Sequence, residues 1–323
     1  MKYHFIMNPS AGKGNQLSVF EDKIREICEK EGLDYDIHVT KGVGEATLYV
    51  RDILSSDNAL HRFYAFGGDG TFSEVVNGVF SYENAEVGLI PTGTGNDFCK
   101  NFTEKSNFFD IEKQLNGKSE KIDVLKYNDK YCVNMLNIGF DCNVVCNTLN
   151  IKKKRFIPNK LTYVAALVVT LFKSLYSHQK ITVNGETIAD RDILLTAIGN
   201  GSFYGGGFHA TPYASLTDST LDISIVEKIS RLKFISLVGS YKKGTHLKTK
   251  AGKKCVSYIR ATSLKMEFDT PTKICVDGEI ETASTIDISV IPRGISFIIP
   301  KGSSLNCSNN ESVSDQKYVN LAR

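Results

Sequence analysis

An α/β domain with a parallel sheet, followed by a mostly antiparallel β-sandwich domain, is the fold class this sequence predicts. Three observations carry it. Strand and helix signals alternate as far as Asp123, the pattern of a parallel sheet covered by helices. After Asp123 short strand-like runs dominate, punctuated by the hairpin signals Asn184-Gly185 and Asp277-Gly278. Glycine-rich loops end the strands of the first part, where α/β sheets place ligands. The expected boundaries are 1–123 for the first domain, 124–303 for the second and 304–323 for a polar, mobile tail.

In order, Tyr3–Met7 reads as a strand and Asn8 to Gly14 as a loop. Leu17 to Lys30 reads as a helix, with Gly32 as its stop signal. Asp34–Thr40 is a strand and Glu45 to Leu54 a helix. Strand, loop and helix recur at Arg62–Val79 and at Val87–Lys100. Phe72, Val75, Val76 and Val79 fall at i, i+3, i+4 and i+7, the spacing of a helix face. The later strands are Asp123–Tyr127, Tyr131–Ile138, Lys180–Val183, Ile193–Gly199, Thr220–Val226, Val256–Thr262, Leu264–Phe268, Lys273–Val276, Thr285–Ile291 and Ile295–Ile299. Helices are expected near Pro158 to Tyr176 and at Leu232–Lys243.

Two loops fit one purpose: Gly67-Gly68-Asp69-Gly70-Thr71 and Pro91-Thr92-Gly93-Thr94-Gly95-Asn96-Asp97. Strand, glycine loop and helix bring backbone N–H groups and a helix N-terminus onto a phosphate. Asp69 would repel a bare phosphate, so a bound cation is implied and the first domain reads as Mg-nucleotide binding. A plain turn is the competing reading at both loops, with Asn96 or Asp97 as a helix cap. Asn8-Pro9-Ser10-Ala11-Gly12-Lys13-Gly14 is neither a P-loop nor a dinucleotide fingerprint.

Composition excludes several classes. Net charge is +3, which gives no case for nucleic acid. The eight cysteines contain no Cys-x-x-Cys, and they and the six histidines are dispersed, so buried reduced thiols are expected and a zinc site is not. The longest apolar stretch, Leu161 to Phe172, is shorter than the ~20 residues of a spanning helix. The N-terminus lacks a signal-peptide pattern, so a cytoplasmic location is expected.

Val276-Asp277-Gly278-Glu279 matches Val183-Asn184-Gly185-Glu186. Both are hairpin turns with a trailing Glu, and spacing leaves open which Glu acts as a base. Thr217-Asp218-Ser219-Thr220 reads as another turn. Lys152-Lys153-Lys154-Arg155 precedes an apolar helical stretch, either a helix buried on the sandwich or an interfacial membrane contact.

Taken together, Gly67-Gly68-Asp69-Gly70-Thr71, Pro91 to Phe98, Asp218 before Leu221-Asp222, and Asp277-Gly278-Glu279 resemble the diacylglycerol kinase catalytic domain superfamily, closest to its soluble bacterial lipid kinases. The resemblance covers about residues 1–300. It implies that Asp69 acts through Mg2+ and ATP, with Gly67, Gly68, Gly70 and Thr71 shaping the phosphate loop. It implies that Asn8, Lys13, Thr40, Gly93, Thr94, Gly95 and Asn96 line the nucleotide site, and that Asp97 and Asp123 act near the acceptor. Glu279 would be the general base, supported by Asp277. Asp218 would hold a structural Mg2+ with the carbonyls of Ser215 and Thr220. Two departures stand out: Cys99-Lys100 where the family has a small residue and Arg, and Thr217-Asp218-Ser219 where it has Asp-Asp-Gly.

The expected function is ATP-dependent transfer of the γ-phosphoryl group to a lipid hydroxyl, with diacylglycerol the first choice of acceptor. The alternative is an NAD kinase-like or other soluble-substrate kinase, against which Gly-Thr-Gly-Asn-Asp-Phe argues. The expected partner is a membrane lipid reached by peripheral binding at the inner face, with no nucleic acid. Homodimerisation is left open.

Overall fold

The computed structural model describes residues 1–11, 16–93, 95–140, 142 and 176–306. Lys13, Thr94, the Lys152–Arg155 run with its apolar stretch, and the tail from residue 307 lie outside the described residues. The chain forms two compact units. The first takes Met1–Val124, Leu216–Ser219 and Ile291–Asn306; the second takes the described residues of Leu125–Ser215 and Thr220–Val290. The expected contiguous second domain at 124–303 is corrected in this respect. Its last strand and the residues to 306 belong to the first unit, because they pair and pack there.

In the first unit, β1 (Lys2–Met7) lies parallel between β2 (Tyr35–Val39) and β3 (His61–Gly67), and β3 pairs parallel with β4 (Ala85–Pro91). The C-terminal part of β15 (Glu279–Ile299) then adds parallel to β4 through Ser296 and Phe297. β3 and β4 are buried almost throughout, as central parallel strands covered on both faces must be. The helices are α1 (Gln16–Lys30), α2 (Glu45–Ser56), α3 (Asp69–Val79) and the short α4 (Ile111–Leu115). Phe5, Met7, Ile24, Cys28, Tyr64, Phe66 and Ile90 build the core under α1. Gly78 lets α2 and α3 approach closely: a Cβ there would lie 2.7 Å from Val50 Cβ. The helix expected to run to Lys100 is corrected to a single 3-10 turn, Phe98–Asn101. Phe98 and Phe102 instead pack into an aromatic cluster with Phe72, Phe108 and Phe297.

The opposite end of this sheet holds a buried histidine pair. His4 Nε2 lies 2.9 Å from His61 Nδ1, and His4 stacks on Phe63. Burial, reinforced by His61, lowers the His4 pKa to about 4, and burial lowers that of His61 as well. A histidine with a depressed folded pKa leaves stability untouched above its unfolded value. As pH falls from about 6.5 towards 4, the unfolded chain takes the proton and stability is lost. The expected loss over that window is of order 1–2 kcal/mol, discounted for solvent access. The check is urea unfolding of the parent and of His4→Phe at pH 7.5 and pH 5. The parent should lose more than the variant, and parallel losses would refute the role of the pair.

In the second unit the strands are the end of β5 (Lys118–Tyr127), β6 (Lys130–Cys132), β7 (Met135–Gly139), β8 (Ser177–Val183), β9 (Glu186–Gly199), β10 (Phe203–Tyr204), β11 (Phe208–His209), β12 (Leu221–Glu227), β13 (Val256–Ala261) and β14 (Ser263–Val276), with the start of β15. Their pairings are antiparallel: β13 with β12, β12 with β9, β9 with β7 and β8, and β14 with β7, β8 and β15. One half of β9 pairs with β8 and the other with β7, and β14 does the same. Long strands thus pass from one layer to the other, with a register shift in β14 between Glu267 and Thr272 marking the bend. Leu136, Ile138, Ile181, Ile198, Ile223, Met266, Ile274 and Ile286 fill the interior. Among the described residues, α5 (Arg231–Lys242) and α6 (Lys250–Cys255) lie on this unit. The strand expected at Tyr131–Ile138 is interrupted at Val133-Asn134.

Cys28, Cys99, Cys132, Cys142, Cys255 and Cys275 are free thiols. No helix among the described residues is long and apolar enough to cross a membrane.

Candidate functional site

β1, β2, β3 and β4 deliver Asn8, Thr40, Gly67-Gly68 and Thr92-Gly93 to the carboxyl edge of the sheet. The two glycine loops touch there. Thr92 N–H donates to the Gly67 carbonyl at 2.9 Å. A Cβ on Gly93 would lie 2.7 Å from Gly68 Cα, and one on Gly67 would lie 2.4 Å from Thr71 Oγ1. Approach this close, to the Gly68 backbone at Gly93 and to the Thr71 side chain at Gly67, leaves no room for a Cβ, which explains the residue type at both positions.

Asp69 opens α3 and fastens the second loop to the first. Its Oδ1 accepts from the N–H groups of Asp97 (3.0 Å) and Phe98 (3.3 Å), and its Oδ2 lies 3.3 Å from the same Asp97 nitrogen. Gly68 is the N-cap and supplies no side-chain acceptor to the helix. Asn8 Nδ2 donates to Thr71 Oγ1 (2.9 Å), while its Oδ1 accepts from Ser10 N–H. Thr40 is buried, with its N–H on the Met7 carbonyl. Asn96 takes a left-handed φ of 47°, and its Oδ1 is buried with no hydrogen-bond partner.

Lys100, noted in the sequence only as a departure, proves to be part of this loop. Its Nζ donates to the Gly95 carbonyl (2.9 Å) and ion-pairs with Asp97. The signal was the i, i+3 spacing of Asp97 and Lys100. Asp97 is buried in that pair. Cys99, beside it, has its thiol pKa raised well above the usual value by burial and by the Asp69 charge.

Asp123 is fully buried in the first unit. Its carboxylate accepts from Ser219 N–H (2.6 Å) and Arg293 N–H (2.7 Å), and burial raises its pKa. Ser219 stands at φ 60°, in the left-handed region that favours glycine, and the hydrogen bond its N–H donates to Asp123 steadies it there. Thr220 Oγ1 accepts from Arg260 at 3.0 Å. Among the described residues no group of three or more His, Cys, Asp and Glu side chains is arranged to hold a metal.

In the second unit the two look-alike hairpins follow one design. Asn184 and Asp277 take φ near 47°, each followed by a left-handed glycine. Each side chain reaches back to a neighbouring segment. Asn184 Oδ1 accepts from the N–H of Thr262 (3.3 Å) and Ser263 (3.1 Å), at the surface. Asp277 is buried and accepts from Val133 N–H (2.9 Å), Asn134 N–H (3.0 Å), Met135 N–H (3.0 Å) and the Cys132 thiol (3.2 Å). Turning these amides onto a carboxylate is what breaks the strand at Val133-Asn134. Glu186 and Glu279 are both exposed, each facing the residue before its turn in the ladder. The Asp277 and Asp123 carboxylates thus each accept from backbone N–H groups, and Asp277 from the Cys132 thiol as well.

The diacylglycerol kinase catalytic domain model matches residues 2–127, and the model described as "YegS C-terminal NAD kinase beta sandwich-like domain" matches residues 134–299. A protein named "Putative lipid kinase" from Staphylococcus aureus strain MSSA476 is 28% identical over 268 residues, covering 81% of this chain and 85% of its own length. One of the same description from strain MRSA252 is 27% identical over 267 residues, with the same coverage. A crystal structure titled as a putative diacylglycerol kinase from Bacillus anthracis superposes with a TM-score of 0.71 at 24% identity, covering 93% of this chain and 97% of that one. With both models matched in order, and with the paired glycine loops held together by Asp69, the chain belongs to the diacylglycerol kinase-like family of lipid kinases, built of a diacylglycerol kinase catalytic domain and a YegS-type β-sandwich-like domain.

Proposed function

We propose that this protein uses ATP to phosphorylate a lipid hydroxyl, with diacylglycerol the first candidate acceptor. The observation that carries the nucleotide part is the Asp69 clamp. Two glycine loops without room for a Cβ meet at the start of α3, a surface of backbone that suits phosphate oxygens. The buried, partnerless Asn96 Oδ1 calls for a donor, such as a ribose hydroxyl. An ionised carboxylate has about four acceptor sites, so Asp69 can hold the loop and still face a cation. The residues thus fit Mg-ATP, whose metal would neutralise charge on the transferring phosphoryl group.

In this reading the first-turn amides of α3, Asn8 and the second loop orient the phosphates, with Lys13, Thr40 and Thr94 assigned to the same nucleotide site by family resemblance. Lys100 fixes the loop through the Gly95 carbonyl and Asp97. Asp97 and Asp123 are assigned near the acceptor by the same resemblance. Glu279 takes the proton of the acceptor hydroxyl, and Asp277 holds the hairpin that presents it. By the same resemblance, Asp218 with the Ser215 and Thr220 carbonyls would hold a structural Mg2+. The acceptor is reached by peripheral association with the inner face of the membrane from the cytoplasm. Its family membership supports the lipid class, and a panel of diacylglycerol, phosphatidylglycerol and long-chain base in mixed micelles with labelled ATP tests it. No lipid gaining label would refute the reading.

Glu279→Gln should lower kcat by roughly 10²-fold or more, within the general-base range. Glu186→Gln, on the matched hairpin, should stay near the parent. The reverse ranking would move the base to Glu186.

A further inference from the structure

From Lys228 to Met266 the chain carries eleven Lys and Arg residues and no Asp or Glu. Most of this stretch folds as α5, a short 3-10 turn at His246–Lys248 and α6, all on the second unit. The inner side of α5 is anchored: Phe234, Leu237 and Tyr241 are buried in a cluster with Phe140, Val256 and Tyr258. Its outer side is not polar, as a solvated helix would be. Leu232 is 80% exposed and Ile235 59% exposed, and with Ser236 and Gly239 they form one stripe at i, i+3, i+4 and i+7. Arg231, Lys233, Lys242 and Lys243 flank this stripe at its two ends, and Lys250, Lys253 and Lys254 continue the exposed cationic surface along α6. The helix is thus apolar on two faces and basic at the margins.

We infer that the outer face of α5 with α6 is a docking surface for an anionic lipid bilayer. Two features choose this occupant. A run of exposed Lys and Arg with no carboxylate in the same stretch of chain is complementary to anionic headgroups, and large aliphatic side chains standing in water gain by entering the headgroup–acyl boundary. A nucleic acid backbone would satisfy the cations but has no use for Leu232 and Ile235, and among the described residues α5 and α6 present no exposed aromatic for base stacking. The two kinds of contact respond differently to salt: cationic attraction is screened, aliphatic insertion is not. The inference shares the lipid setting of the proposed function and does not need its chemistry to be correct.

The test is co-sedimentation of the full chain with vesicles of phosphatidylcholine containing 30% phosphatidylglycerol (about one anionic lipid in three), at low and high salt. The variants are Leu232→Ser/Ile235→Ser and Lys233→Gln/Lys243→Gln/Lys250→Gln/Lys254→Gln. All six positions are exposed, so both variants should melt with the parent. The parent should bind anionic vesicles and release them as salt rises. Each variant should bind at least about tenfold more weakly, and the aliphatic variant should keep the parent's steep salt dependence. Phosphorylation of a water-soluble short-chain diacylglycerol should be unchanged in both. A parent that fails to bind, or variants that bind like the parent, would overturn the inference while leaving the lipid-panel result standing. Vesicle binding without lipid phosphorylation would do the reverse. Tight binding to single-stranded DNA with none to vesicles would assign the surface to nucleic acid instead.

Discussion

Asp69→Ala is expected to reduce turnover by about 10³-fold or more, the largest catalytic effect foreseen for any single change. Two roles converge on this carboxylate: it holds the amides of Asp97 and Phe98, and in the proposed reading it serves the cation that neutralises phosphate charge. Loss of a preorganised electrostatic contact of this kind costs roughly 10²–10³ in rate, and release of the second loop adds to it. Asp69→Asn separates the roles. One acceptor oxygen remains to hold the loop, so its melting temperature should stay close to the parent's while turnover still falls by at least about 10²-fold. If Asp69→Ala keeps activity within about tenfold of the parent (about 1.4 kcal/mol in barrier), the assignment of the nucleotide site fails.

The largest effect on stability is expected at Asp277. Three buried amides and a thiol point at one carboxylate. Its pKa is raised by burial, against the pull of those donors, so the ionised group already bears a desolvation cost. Asp277→Ala would remove the acceptor and leave the donors, each buried orphan costing about 1–3 kcal/mol before water enters. A loss of about 3–5 kcal/mol for the second unit is expected. Hydrogen exchange at Val133, Asn134 and Met135 should rise with it, localising the damage. Asn184→Ala, the matched change on the exposed hairpin, should cost about 1 kcal/mol or less. Similar losses at the two positions would show that the buried carboxylate adds nothing to the turn.

The contrast between these hairpins shows where reading from sequence stops. Both Asx-Gly turns were legible, because residues at left-handed φ are few in kind. Their different depth was not, since burial of Asp277 depends on β6 and β7 arriving from more than a hundred residues away. The break at Val133-Asn134 was hidden for the same reason: its cause is a carboxylate on another strand. The glycine loops were legible because close backbone approach restricts the residue type directly. The first-order role of Asp69 was not, for a side chain that accepts from amides across a loop carries the same letter as one that binds a cation. Lys100 shows the opposite case. It was visible as an anomaly against the family pattern, and contact with Gly95 and Asp97 gives it a function. The strands read at Thr285–Ile291 and Ile295–Ile299 are one strand, Glu279–Ile299. Arg293 at φ 54° bends it without ending it, and Arg293 N–H is held by Asp123.

That long final strand also orders events during synthesis. The ribosome releases β1 to β4 early, and the sheet they form could begin to assemble at once. Its last parallel partner, Ser296 and Phe297, is encoded after the whole sandwich. Until it arrives, the β4 edge has no neighbour there, and the cluster of Phe72, Phe98, Phe102 and Phe108 lacks the ring that completes it. The unit translated first is therefore the unit finished last, and a nascent chain halted before residue 296 carries an open edge and an open aromatic pocket, features that invite pairing with other chains.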